Sequence, residues 1–135
     1  MSSARWTVRE GRATDVDFIV KSWRASYQDA PEVRGADRRH YRAEMSRRIA
    51  ACLTDGQALV ACMEGDEDTI LGFAVASADG AVLHYVYVRL DARGIGVARE
   101  LVGRLEVEAY THRAHKVRGI PSNWVYKPFI FGAWT

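Results

Sequence analysis

Apolar positions along the chain fall into two periods, one of about two residues and one of about three and a half, and the switches between them mark the elements. Trp6 to Arg9 alternates weakly and predicts a short first strand. Val16, Ile19 or Val20, Trp23 and Tyr27 then recur at helical spacing, which predicts a helix with its apolar stripe turned to a core. Thr14 stands in the capping position, with Asp17 three residues on and two acids suited to the helix dipole. Gln28 to Ala36 carries Pro31 and Gly35 and reads as a loop. A second helix is expected from Asp37, as its cap, to Leu53, with Tyr41, Met45, Ile49 and Cys52 as its buried ridge.

Asp55-Gly56 ends that helix, and the period shortens to that of strands. Gln57 to Met63 is one strand, Glu64 to Thr69 an acidic turn, and Ile70 to Ala78 another strand. Asp79-Gly80 is a two-residue hairpin signal of type I′, which makes the apolar run Ala81 to Val88 an antiparallel neighbour. After a four-residue link, Arg93-Gly94-Ile95-Gly96 leads into a helix that buries Val97, Ala98, Leu101, Val102 and Leu105 and runs to about Tyr110. Lys116 to Ile120 is expected as a strand parallel to the Val82 strand, because a helix joins the two. Phe129 to Trp134 is a candidate for one last short strand. This order predicts a single α/β (α+β) domain over residues 1–135, with a mixed, mostly antiparallel sheet flanked by helices.

The stretch from Val82 to Leu105 organises the rest. Glycines at 94 and 96 let the backbone take φ > 0 and come close to a ligand, and the amides of the next helical turn lack intrahelical acceptors. Such a turn suits an anion, and Arg93 and Arg99 add positive charge. A dinucleotide fingerprint is excluded, since Arg99 stands where the third small residue belongs and His115 to Gly119, about 20 residues on, holds no acid. No Gly-Lys-Ser/Thr phosphate loop occurs either.

The longer string Val88-Arg89-Leu90-Asp91-Ala92-Arg93-Gly94-Ile95-Gly96-Val97-Ala98 resembles the acyl-CoA motif of the GCN5-related N-acetyltransferase (GNAT) superfamily. Arg93, Gly96 and Ala98 fill its Arg/Gln, Gly and Gly/Ala positions, while Leu90 departs from the proline of many members. The element order over roughly residues 5–120 also resembles that fold. The resemblance implies a cosubstrate, acetyl-CoA or another acyl-CoA, whose pyrophosphate lies on the main chain of Gly94, Ile95, Gly96, Val97 and Ala98, beside Arg93 and Arg99. Its pantetheine arm would run along the strand end at Val86 and Val88, which splays from its neighbour, with Asn123 as a polar contact. Members continue with a further helix and hairpin where Pro121 to Thr135 stand here, so a shortened C-terminal part is expected, with a homodimer as one way to complete the substrate side.

Acyl transfer to an amine needs a neutral nucleophile, a held carbonyl and a proton path. His84 alternates with Val82, Val86 and Val88 on one face, and its ordinary pKa suits a base at neutral pH; a core or edge histidine satisfied by a hydrogen bond is the alternative. The resemblance implies a tyrosine as the acid for the departing thiolate, and Tyr126 lies in the corresponding region. Tyr85 and Tyr87 point to the opposite face and read as packing. His112 and His115 flank a loop with no third ligand in sight, so no metal is expected.

Composition narrows the partners. With 48% apolar and 27% charged residues the chain is globular, and no apolar run reaches the about 18 residues of a membrane span, so no membrane partner and a cytoplasmic address are expected. Cys52 and Cys62 are spaced as structural thiols rather than as a metal pair. Net charge is only +2, so Arg38, Arg39, Arg42, Arg47 and Arg48, on the other faces of the second helix, read as a solvated surface and nucleic acid as the less favoured partner. The function expected is N-acyl transfer, most simply N-acetyl transfer, from acyl-CoA to an amine acceptor of unknown identity. An inactive CoA-binding or protein-interaction module and a nucleic-acid-modifying acyltransferase are the alternatives.

Overall fold

The computed structural model describes residues 6–112, 121 and 123–127. Six strands form one sheet in sequence order: β1 (Trp6–Glu10), β2 (Gly56–Met63), β3 (Asp66–Ser77), β4 (Val82–Val88), β5 (Ala109–Tyr110) and β6 (Val125–Tyr126). β1 to β4 are antiparallel, while β4, β5 and β6 run parallel to one another. The helices are α1 (Val16–Tyr27), α2 (Arg38–Asp55) and α3 (Val97–Gly103).

Size alternation along β3 explains the three layers. Phe73 and Val75 point into the core shared with Ile19, Trp23 and Tyr27 of α1 and Met45 and Ile49 of α2. Ala74 lies on the other face, with Ala61 of β2, beneath Val97 and Leu101 of α3. Large residues thus fill the α1/α2 side, and small ones let α3 sit close to the sheet.

Local chemistry sets the helix starts. Asp37 caps α2 as expected, its Oδ1 accepting from the Arg39 amide at 2.9 Å and the His40 amide at 3.3 Å. Thr14 does not cap α1, because a 3₁₀ turn (Ala13–Asp15) precedes it and Asp15 takes over the local hydrogen bonding. Asp15, only 4% exposed, accepts the Arg12 amide at 2.7 Å and two guanidinium bonds from Arg9 at 2.7 and 3.0 Å. The Arg9 hydrogen bond holds its carboxyl below the usual carboxylate range.

Several expected boundaries shift. Within the loop after α1, Pro31–Val33 makes a 3₁₀ turn that delivers Ala30 and Val33 to the core. β3 starts at Asp66 rather than Ile70, because the Glu64-Gly65 turn is tight enough for the acidic residues to pair as strand. The hairpin after β3 is not type I′: Gly80 alone there has positive φ (78°), and its amide donates to the Ser77 carbonyl at 2.9 Å while Asp79 Oδ1 accepts from the Ser77 hydroxyl and the Ala81 amide. Arg48 is not on a solvated face. It is 4% exposed, with its Nε donating to Glu44 Oε2 at 2.8 Å, and Glu44 pairs with Arg47 as well. Cys62 is buried and Cys52 half-buried, both as free thiols, and burial pushes Cys52 up to about 11.

The largest shift concerns α3. It ends at Gly103 rather than near Tyr110, and the chain turns through Arg104 and Leu105 into β5. The parallel neighbour of β4 is therefore Ala109–Tyr110, within the expected helix. The expected strands at Lys116–Ile120 and Phe129–Trp134 lie outside the described residues. Among the described residues no helix is long and apolar enough to cross a membrane.

At the junction of α2 and β2, a Cβ on Gly56 would run into the main-chain oxygens of Ala76 and Cys52, which cannot rotate aside. Gly56→Ala should lower unfolding free energy by about 1–3 kcal/mol, read by denaturant titration. An unchanged midpoint would show that α2 can lift from β2 freely.

Candidate functional site

The site is built where β4 parts from β5. Val82 and Leu83 pair with Ala109 and Tyr110, and the Thr111 amide donates to the Leu83 carbonyl at 3.0 Å. Beyond that point no described residue continues the ladder on this side of β4. On its other side β4 carries an extra residue: consecutive Val75 and Ala76 of β3 face Tyr85 and Leu83, so His84 is the bulged position.

The bulge corrects the expected alternation. Leu83, Val86 and Val88 belong to the α3 layer, and Tyr85 and Tyr87 to the α1/α2 layer as expected, but His84 shares a regular face with neither set. Its Nδ1 lies 3.1 Å from Thr111 Oγ1, and that oxygen lies 2.8 Å from His112 Nδ1. Burial keeps the His84 pKa below 6.5. His112 is pushed down to about 3, first by burial and then by His84 nearby.

His112 is 6% exposed and is held edge-on by the rings of Trp23 (5.1 Å between centroids) and Tyr27 (5.0 Å). Trp23 also stacks on Tyr85 at 4.8 Å, within 3° of parallel, and the Tyr85 hydroxyl meets Ser26 Oγ at 2.7 Å. Burial raises the Tyr85 phenol to about 12, so it stays protonated at neutral pH. The aromatic stripe of α1 is thus both core and the wall behind the histidines. Sequence reasoning weighed His112 only as a metal ligand and missed Thr111, since residues just past an unrecognised two-residue strand leave no periodic signal.

At the far end of β4 lies the glycine turn. Gly94 and Gly96 have φ of 82° and 100°, and a Cβ on either would meet nothing within 4 Å, so the turn's outer side is open. Gly96 is the N-cap of α3 and provides no side-chain acceptor, which leaves the first amides of the helix for an external one. Val97 is 1% exposed, and its packing with Leu101 anchors the turn to the sheet. Arg93 Nε donates to the Val88 carbonyl at 2.9 Å, tying the turn to the end of β4. Arg99 is exposed, Ile95 is 44% exposed and Ala98 half-buried. These features fit a diphosphate laid across main-chain amides.

Two expected site residues stand apart. Tyr126 is in β6, beside Tyr110 with ring centroids 5.1 Å apart, and so lies two strands from β4, about 10 Å. Asn123 is exposed in the turn before β6. A cleft of about 320 Å³ near the start of β2 is separate, at the sheet end where β4 begins; there Arg12 pairs with Glu67, and Gln57 donates to the Ser77 and Ala78 carbonyls. Among the described residues no group of three possible ligands could hold a metal ion.

Comparison with known proteins converges on one family. A profile described as the acetyltransferase (GNAT) family matches residues 17–123. Among solved structures, a putative acetyl transferase from Pyrococcus furiosus superposes with a TM-score of 0.61 at 17% identity, covering 87% of this chain and 97% of that one. A GCN5-related N-acetyltransferase from Rhodopseudomonas palustris gives 0.54 at 19% identity, with 77% and 65% covered. The phosphinothricin acetyltransferase of Sinorhizobium meliloti, solved with acetyl-CoA, gives 0.51 at 25%, with 74% and 57% covered. The chain thus spans less than two thirds of the length of some of these structures. A comparison with curated proteins finds no match.

His84 and His112 both bind protons more weakly in the fold than at the ordinary 6.5. The unfolded chain therefore takes up more protons, so stability that is full above pH 6.5 is lost as pH falls toward 3. His112→Gln should flatten the melting-temperature profile between about pH 6.5 and 4.5, above the range in which carboxylates titrate. A slope equal to wild type would place the proton uptake elsewhere.

Proposed function

Because this chain belongs to the acetyltransferase (GNAT) family, we propose that it is an acyl-CoA-dependent N-acyltransferase that moves an acetyl group from acetyl-CoA to an amine acceptor by direct attack. The observation that carries this reading is the open glycine turn, pinned by Arg93 to the strand that leaves its parallel neighbour at His84. Crystallisation of the Sinorhizobium meliloti relative with acetyl-CoA supports the choice of cosubstrate.

A thioester supplies an activated acyl carbon, so the chain itself needs to bind, orient and move protons. The main chain from Gly94 to Ala98 binds the diphosphate, with Arg93 and Arg99 adding charge. The edge of β4 at Val86 and Val88, with which no described residue pairs on the β5 side, offers main-chain groups to an amide-bearing arm, and Asn123 is a further polar contact. His84 takes the proton from the attacking amine. Desolvation keeps its imidazole neutral at physiological pH, which a base requires. Tyr126 returns a proton to the departing thiolate. Acid and base serve different atoms, so their separation of two strands is compatible with both roles.

The arginines of α2 do not favour a nucleic-acid acceptor. Arg47 and Arg48 are paired with Glu44, and the neighbouring Arg24 donates to Ser46.

Gly96→Glu should abolish acyl-CoA binding while the fold survives, since the new side chain enters open space but brings a like charge to the phosphate position and a strained φ. Isothermal calorimetry with CoA checks this, and unchanged affinity would remove the whole reading. For His84→Ala, turnover at saturating acyl-CoA should drop about 10² to 10⁴-fold, with CoA affinity nearly unaltered. In the wild type, the rate should climb with pH through a step below 6.5 and be flat at neutral pH. A step above 7.5 or so, the range of an amine or thiol, would assign the proton transfer to another group.

A further inference from the structure

Glu100 is a carboxylate in the first turn of α3, next to the glycine turn proposed above to hold the diphosphate. Its amide donates to the Gly96 carbonyl at 3.0 Å, so it stands one helical turn, about 6 Å, along the axis from that glycine. Side chains on a helix lean toward its N-terminus, so the relaxed direction of Glu100 is back over the glycines. An acid in this position ordinarily suits the helix dipole. Here it competes with an anion, and the outer side of Gly94 and Gly96 is open, so no protein atom stands between a carboxylate leaning that way and the phosphates.

Two donors hold the carboxylate elsewhere. Oε1 accepts from Trp6 Nε1 at 2.9 Å, and Oε2 accepts from Arg104 Nη2 at 2.8 Å. Trp6 begins β1, three strands or about 14 Å across the sheet from β4. Its bond therefore draws the charge away from the strand end to which Arg93 ties the glycine turn. The indole is half-buried and packs in the α3 layer, which fixes the direction of its N–H. Arg104 is 52% exposed on the same helix, and an exposed pair of this i,i+4 kind holds its partner weakly. The bond from β1 is the firmer of the two.

We infer that Trp6, supported by Arg104, is a positioning residue for the cosubstrate: it steers the Glu100 carboxylate off the diphosphate and leaves Arg93 and Arg99 to set the sign of the field at the glycine turn. This role rests on the acyl-CoA reading above, because only a bound anion makes the direction of Glu100 matter. A bond that merely ties β1 to α3 predicts no effect of charge on CoA affinity.

Isothermal calorimetry with CoA at about 10 mM and about 0.5 M salt separates the two, since the screening length falls from about 30 Å to about 4 Å between them. Trp6→Phe keeps an aromatic ring and removes the N–H donor; Glu100→Asp keeps the charge on an arm too short to reach the indole. Each should weaken CoA binding about two- to five-fold relative to wild type at the lower salt, and the loss should vanish at the higher. Glu100→Gln should change affinity little by itself and restore wild-type affinity when added to Trp6→Phe. Wild-type affinity in Glu100→Asp overturns the inference, as does a Trp6→Phe loss that persists at high salt or in the double variant, the mark of damaged packing. Glu100→Asp decides even if Trp6→Phe does not fold. Wild-type protein that binds no CoA removes the acyltransferase reading and this role with it, whereas CoA binding indifferent to Glu100→Asp removes this role alone.

Discussion

A parallel pair of strands that stops after two residues is the constraint on which the cleft depends. β4 and β5 share only the Val82–Ala109 and Leu83–Tyr110 pairs, and the next residue of β4 is the bulged His84. A bulge adds twist and breaks the two-residue period, so the strand turns away from its neighbour where the extra residue sits. Beyond it no described residue pairs with that edge of β4, His84 is carried toward Thr111, and the chain after β5 drops His112 into the α1/α2 core.

The cost of that opening is offset by the core behind it. Trp23, Tyr27 and Tyr85 pack as a buried aromatic group against His112, and Phe18, Phe73 and Tyr87 form a second one alongside. Aromatic pairs in these edge-on and stacked arrangements add roughly 0.5–1.5 kcal/mol each beyond their area. The same rings strip water from His112. One set of contacts therefore stabilises the sheet where its pairing ends and holds the buried His112 beside it neutral.

The glycine turn works by a different division of labour. Its conformation requires positive φ at Gly94 and Gly96, its position is held by Val97 and Leu101 in the α3 layer, and its approach to β4 is held by Arg93 on the Val88 carbonyl. Arg93 thus has a structural duty within the chain besides the charge it brings. That explains why a cation belongs at the start of this turn even before any anion is considered.

Periodicity and turn residues alone determined the order of elements from β1 through α3, the core stripe of α1 at Ile19, Trp23 and Tyr27 though not at the exposed Val16, the Asp37 cap and the positive-φ turn at Gly94 and Gly96, because each of these is written within a few consecutive residues. The capping of α1 was not legible at Thr14, since Asp15 is claimed by Arg9 from another element, nor was the pairing of Arg48 with Glu44 distinguishable from a solvated helix face. The end of α3 and the place of β5 needed the tertiary structure: two residues carry no period, and Ala109 and Tyr110 are strand because Ala81 and Leu83 present carbonyls on one side and β6 pairs with them on the other. The bulge at His84 is likewise invisible in a run of alternating apolar residues, because an extra residue is defined only against the strand opposite. Its consequence, a histidine meeting a threonine 27 positions away in sequence, is a fact of three dimensions.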